Sequence, residues 1–168
     1  MARIALRDVT LTLRDGSTPT PNELEIQVGD GNITWTEQRP LEYINDRDKL
    51  DDRRLAPEVP LEVNLTVKWE YYRGDGAGDP SPMDVFYFEN DASAWVSTDS
   101  DPCRPKCVDL IIENIPDCIG TAKKETYVFP KFFAENVDFD ISAGQLSVRG
   151  TCLATRVTTT REDLTTAP

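Results

Sequence analysis

The feature that most constrains this chain is an unbroken alternation at residues 60–72, PLEVNLTVKWEYY. Leu61, Val63, Leu65, Val67, Trp69 and Tyr71 occupy every second position, against Glu62, Asn64, Thr66, Lys68, Glu70 and Tyr72. Successive side chains of a strand point to opposite faces, so a period of two over this length specifies a long β-strand with one buried and one wet face. Its apolar side needs a second layer to pack against, which points to a mainly β fold.

The same period recurs in shorter pieces. Ile4 and Leu6 stand at even positions and Val9, Leu11 and Leu13 at odd ones, a strand whose inward face changes at a bulge near Arg7 and Asp8. Leu24, Ile26 and Val28, then Ile33 and Trp35 beyond GDGN, predict two short strands joined by a Gly-rich turn. Trp95 and Val96 begin another extended piece, and the apolar run VDLIIENI predicts a buried central strand. Tyr127 with Phe129, then Val137, Phe139 and Ile141, then Leu146 and Val148 leading into TCLATRV, predict two or three more strands, with AGQ turning the last pair into a hairpin. Ser81 before Pro82, with Asp84 three residues on, has the chemistry of a helix N-terminus, and Met83, Phe86 and Tyr87 then share one face of a short helix. The expected fold is a β-sandwich or partly closed barrel of about eight strands with one short flanking α-helix and a long charged loop. With 168 residues the chain is expected to form one domain over 1–158, followed by a mobile C-terminal tail at 159–168 where apolar residues are sparse.

Composition removes several functions. Eighteen Lys and Arg stand against 30 Asp and Glu, a net charge of −12, which disfavours a surface that clamps nucleic acid by releasing counterions. The absence of His removes the commonest general base, the His-dependent nucleophile pairs and the most frequent metal ligand. No catalytic residues are assigned and a non-enzyme is expected. No apolar stretch is long enough to span a bilayer, and Arg3, Arg7 and Asp8 stand where a signal peptide would carry its apolar centre, so the expectation is a soluble protein made in the cytoplasm with no membrane partner. Cys103 and Cys107 form a C-x3-C pair, with Cys118 and Cys152 further on. One close pair without His is weak zinc spacing, and buried free thiols are the expectation; if a disulfide forms, pairing to Cys152 is the easier geometry. NDRDKLDD has the look of a calcium loop, but Asp51 and Pro57 stand where such a loop needs Gly and Glu, so neither metal nor cofactor is expected.

Residues 39–59, RPLEYINDRDKLDDRRLAPEV, show no strand alternation and are longer than most structureless loops of compact domains. Arg39, Arg47, Lys49, Arg53 and Arg54 mix with Glu42, Asp46, Asp48, Asp51, Asp52 and Glu58, and Leu41, Tyr43, Ile44, Leu50 and Leu55 lie between them. Mixed charge with interleaved apolar residues suits a segment that docks on another protein surface. The candidate inter-subunit residues are Arg39, Glu42, Tyr43, Arg47, Asp48, Lys49, Asp51, Asp52, Arg53 and Arg54.

GDGNITWTEQRPLEYINDRDKLDD, then PLEVNLTVKWEYY, then ASAWVSTDSDPCRPKCVDLII, in that order, resemble the tail tube proteins of tailed bacteriophages or a close virion relative, over most of Leu24 to Val157. RRLAPEVP departs from the pattern, since a Gly-containing acidic turn is expected before the long strand. The resemblance implies a virion protein assembled in the host cytoplasm. It implies rings of six copies stacked into a hollow tube, other tail proteins at the tube ends, and DNA passing through without being held. A wall that must not bind phosphate gains from acidity, which makes Glu62, Glu70, Asp138 and Asp140 candidate lumen-facing residues. Another virion ring protein, such as a tail terminator, fits the same pattern. Two other classes remain: a carbohydrate-binding or adhesion β-sandwich using an exposed aromatic such as Tyr72, and an enzyme built on paired carboxylates, for which no two acids are placed in one cleft.

Overall fold

The alternating row at 61–67 becomes one wall of the core. The computed structural model describes residues 9–26, 32–68, 80–114 and 123–163. In it Leu61, Val63, Leu65 and Val67 are at most 2% exposed, while Glu62, Asn64, Thr66 and Lys68 face outward. Each such burial stabilises the fold by about 1.5–3 kcal/mol. In chain order the strands are β1 (Val9–Arg14), β2 (Glu23–Ile26), β3 (Ile33–Thr36), β4 (Leu41–Asp46), β5 (Lys49–Leu55), β6 (Leu61–Lys68), β7 (Val108–Asn114), β8 (Lys123–Asp140), β9 (Gln145–Cys152) and β10 (Thr158–Asp163). One α-helix, α1 (Pro82–Tyr87), lies between β6 and β7, and it is too short to cross a membrane.

Antiparallel neighbours form one path, β2-β1-β7-β8-β9-β6-β3, with β10 added to β8 as an eighth strand. The 18-residue β8 joins the two halves. Its first part pairs with β7 and its second with β9, and at Phe132 it faces both, Val108 on one side and Cys152 on the other. β10 pairs with residues 123–128 on the side away from β7, so it prolongs the line of β9. Where β8 changes partners, Lys131 adopts φ 51° and the register slips, leaving an unpaired stretch opposite Asp109. The Asp109 carboxylate accepts the Lys131 backbone N–H at 2.9 Å and sits 3.6 Å from the Arg14 guanidinium.

Beyond this bend the two halves face one another. Trp35 of β3, at the end of the path, packs on Tyr127 and Phe129 of β8 with ring centroids 5.9 and 5.4 Å apart. At the seam the Val157 N–H donates to the Glu37 carboxylate at 3.0 Å, but β3 and β10 share no ladder. The fold is therefore mainly β and sandwich-like, and the described strands do not close into a barrel. Phe129, Phe132, Leu11, Leu13, Leu110 and Leu146 fill the interior. The α1 helix starts as its sequence specifies: Ser81 Oγ accepts the Asp84 N–H at 3.2 Å while the Asp84 carboxylate accepts the Ser81 N–H at 3.0 Å. Val85 and Phe86 are buried, with Phe86 meeting Phe132 edge-on at 6.0 Å.

Four expectations change. Tyr87 is 52% exposed rather than packed with Phe86; the helix instead buries Pro82, Asp84, Val85 and Phe86 and leaves Tyr87 at its last position outside. The segment near Trp95 is not a strand; the Val96 carbonyl accepts the Gly16 N–H at 2.8 Å and its own N–H donates to the buried Asp15 carboxylate at 3.1 Å. The stretch from Tyr127 to Phe139 is one bent strand, not two. The C-terminal segment at 159–163 is not a mobile tail but most of β10. An edge strand wet on both faces needs its ladder and not apolar side chains, and Arg161 adds an ion pair to Glu125 at 2.9 Å. Residues 4–8, Val28, 69–72, Ile115 and 164–168, on which other expectations fall, lie outside the described residues.

Gly150 is fixed by the hairpin of β8 and β9. A Cβ there would overlap the Phe133 carbonyl and come within 2.6 Å of the Phe132 ring. Gly150→Ala is expected to destabilise the protein by about 1–3 kcal/mol, read as a lower denaturant midpoint with an unchanged slope.

Candidate functional site

Residues 39–59 are not a structureless loop. β4 and β5 form a hairpin with a two-stranded sheet of its own. Leu41 pairs with Leu55 and Tyr43 with Arg53; the register then slips between Ile44 and Asn45, and Asn45 pairs with Leu50. Residues paired across a ladder share a face. Leu41, Tyr43, Asn45, Leu50, Arg53 and Leu55 therefore form one face, and Glu42, Ile44, Asp46, Lys49, Asp52 and Arg54 the other. The bulge at Asp51 is what hides this alternation in the sequence, because it shifts the parity of every residue after it.

This arm is two-faced and uncovered. Every residue of both strands is exposed, with Tyr43 at 57%, Leu50 at 68% and Leu55 at 71%. The two strands pack on each other and on no other described element to a comparable extent. Arg54 and Glu42 pair at 2.9 Å across the charged face, an exposed contact worth about 0.2–1 kcal/mol. At the tip Arg47 and Asp48 both take left-handed backbone, φ 49° and 63°, as a two-residue hairpin turn of this hand requires. All ten expected docking residues thus fall on the arm, in its turn, or, for Arg39, at its root.

The expected acidic residues also gather. Glu62 pairs across strands with Thr151, Asp138 with Ser147 and Asp140 with Gln145, which puts all three on the outer face of the β8-β9-β6-β3 leaf. Asn64, Thr66, Thr34 and Thr36 share that face. So do Arg149, 4.0 Å from Glu62, and Lys68, so the face is mixed and polar rather than uniformly acidic. Phe133 is an apolar residue at its margin. Asp140 also has a structural task. Hydrogen bonds from Ser142 Oγ at 2.6 Å and the Ala143 N–H at 3.1 Å fasten the turn into β9 and lower its pKa. Glu70 lies outside the described residues.

At the root of the arm a trough runs under the link between β9 and β10. It joins three cavities of about 140, 600 and 330 Å³: the first beside Pro40 and Leu55, the second beside Glu58, Pro60 and Leu153, the third reaching Asp99, Arg104 and Lys131. Asp99 is buried and holds Arg104 at 3.2 Å and Lys131 at 3.5 Å. The Asp101 N–H, then Arg104 and Lys131, keep its pKa low against the opposing effect of burial.

Sequence reasoning missed this trough, since its walls come from the arm root, the loop before β7 and the β9–β10 link. No signal within any one of these segments marks it.

Among the described residues no three acidic, Cys or His side chains converge as metal ligands. Cys103 is exposed, Cys107 and Cys152 are buried, and all three are free thiols. Cys107 and Cys152 belong to the lines of chain flanking β8 on either side, about 9–10 Å apart at strand spacing. That is too far for a disulfide, so Cys152 is not bridged to it; Cys118 lies outside the described residues. Burial, then Asp109 and Cys107, pushes the Cys152 thiol up to about 12. Compared with known proteins, the chain matches no family model and no curated sequence.

Two expectations follow. Alkylation at pH 8 with peptide mapping should mark Cys103 well before Cys152, because a buried thiol with so high a pKa offers almost no thiolate; equal rates would contradict the burial. Replacing Arg47 with Asn and Asp48 with Gly should remove about 1 kcal/mol of backbone strain per position. Amide exchange in β4 and β5 of the dilute protein is then expected to slow several-fold while the melting temperature of the body stays unchanged.

Proposed function

We propose that this chain is a structural subunit that assembles with copies of itself, and that the assembly is a tube of stacked rings like the tail tube of a tailed bacteriophage. The observation that carries this reading is the arm. A two-stranded hairpin is marginal in water on its own, and this one displays an apolar face that no described part of its own chain covers. A second copy is the partner of choice, because the chain also leaves the outer edges of β2, β3 and β10 without ladder partners among the described strands.

The outer face carrying Glu62, Asp138 and Asp140 supports the channel part of the proposal. Hydroxyls, amides and acids predominate there, Arg149 lies 4.0 Å from Glu62, and Lys68 is the one cation of this face without an ion partner among the described residues. Such a surface offers phosphate few free cations, which is what a duct for DNA needs. The overall charge of −12 acts in the same direction.

Purified protein examined by electron microscopy and sedimentation velocity should form rings or tubes. A species that stays monomeric at millimolar concentration overturns the proposal. Because the Ala56 N–H donates to the Pro40 carbonyl at 3.0 Å, the arm can be cut at its root and the ends rejoined by a short linker. That deletion is expected to leave melting of the body within about 1 kcal/mol and to abolish polymerisation; normal tubes from the deleted chain would remove the arm from the assembly.

A further inference from the structure

We infer that the trough at the root of the arm is the seat for the arm of a second copy, with Arg53 of the incoming arm meeting Glu58 of the receiving chain. The inference rests on the self-assembly reading above and adds to it the place where the arm binds. The three cavities are continuous: the first two share Glu58 and Arg156, and the last two share Pro60 and Leu153. Their walls present open apolar surface, with Leu153 57% and Phe133 40% exposed. The chain's own arm does not fill the trough. Pro40 and Leu55 stand at its lip, and from there both strands leave it with every residue exposed.

Charge selects the match. On the apolar face of the arm Arg53 is the one cation, and its guanidinium has no ion partner among the described residues. Of the other charges in the trough, Arg156 lies 3.7 Å from Glu37 and Asp99 holds Arg104 and Lys131, while Arg39 at the arm root has no ion partner among the described residues. Glu58 is the one carboxylate that lines the trough without an ion partner among the described residues. An apolar strand face bearing a single free cation thus complements an apolar trough bearing a single free carboxylate.

Arm into trough is a head-to-tail contact, which closes into a ring or continues as a helix. Residues 41–55 are fewer than the roughly 20–30 residues that one side of a standard interface supplies. In a ring each chain both gives an arm and receives one, so two such contacts hold every subunit.

The test is a charge exchange in the full chain. Arg53→Glu and Glu58→Arg are each expected to raise the concentration for half-assembly at least ten-fold, while circular dichroism of the dilute protein keeps its wild-type melting curve. The chain carrying both changes restores the pair between copies and should assemble within about three-fold of wild type, a difference of under 1 kcal/mol. If wild type assembles and either single variant assembles as well as it does, or the double variant is no better than the singles, the seat is wrong and the self-assembly reading stands. A wild-type chain that never leaves the monomer overturns both.

Discussion

The bend in β8 is the constraint on which the rest of the molecule depends. One 18-residue strand serves two leaves only if it changes direction without losing its partners. The slip opposite Asp109 does this, and a carboxylate takes the backbone N–H that the slip would leave unpaired. Pro130, with no N–H to donate, occupies the same slip, so the backbone loses little there. From this one irregularity follow the facing of Trp35 onto Tyr127 and Phe129, the line of β9 and β10 along the far side of β8, and the trough beneath their link.

The trough and the arm arise from the same geometry. Between Cys152 and Thr158 the chain leaves the ladder to follow the bend, and the gap exposes Leu153 and admits Glu58 and Pro60 to the surface. The arm root lies at the end of this gap, where Pro40 and Ala56 are joined by one hydrogen bond. An apolar projection and an apolar recess stand side by side on one chain, and the projection does not fill the recess, so the proposed head-to-tail contact between copies would satisfy both.

What the sequence made legible follows from how many constraints act on each segment. β6 was readable because one face is buried without interruption, and α1 because its cap is written in three residues, Ser81, Pro82 and Asp84. β7 was readable as an inner strand from its continuous apolar run. The arm was not, because a single bulge at Asp51 moves Leu50 onto the same face as Arg53 and so erases the period of two. β10 was not, because TTTRED lies on an edge where backbone pairing, not burial, fixes the strand. Of the candidate site, the docking residues were legible as chemistry but not as a face. Glu62, Asp138 and Asp140 were read as outward-facing, yet only the registers of β6 and β8 against β9 bring them onto one surface.

On the proposed function the two surfaces would make opposite demands on charge. In that proposal a face that is to release phosphate would need few free cations; Arg149 lies 4.0 Å from Glu62 there, while Lys68 has no ion partner among the described residues. In the proposed contact Arg53 and Glu58, neither with an ion partner among the described residues, would pair only when the neighbour arrives. Desolvating a lone charge is costly, and a pair formed across an apolar contact recovers that cost only in the matched register. Such a pair would contribute more to register than to affinity, while the exposed apolar area of Tyr43, Leu50 and Leu55 would supply the attraction. A high net negative charge of the same chain opposes association at long range and is screened within about 10 Å at ordinary ionic strength. Assembly of such a subunit should be governed by short-range fit, with repulsion setting the threshold concentration at which it begins.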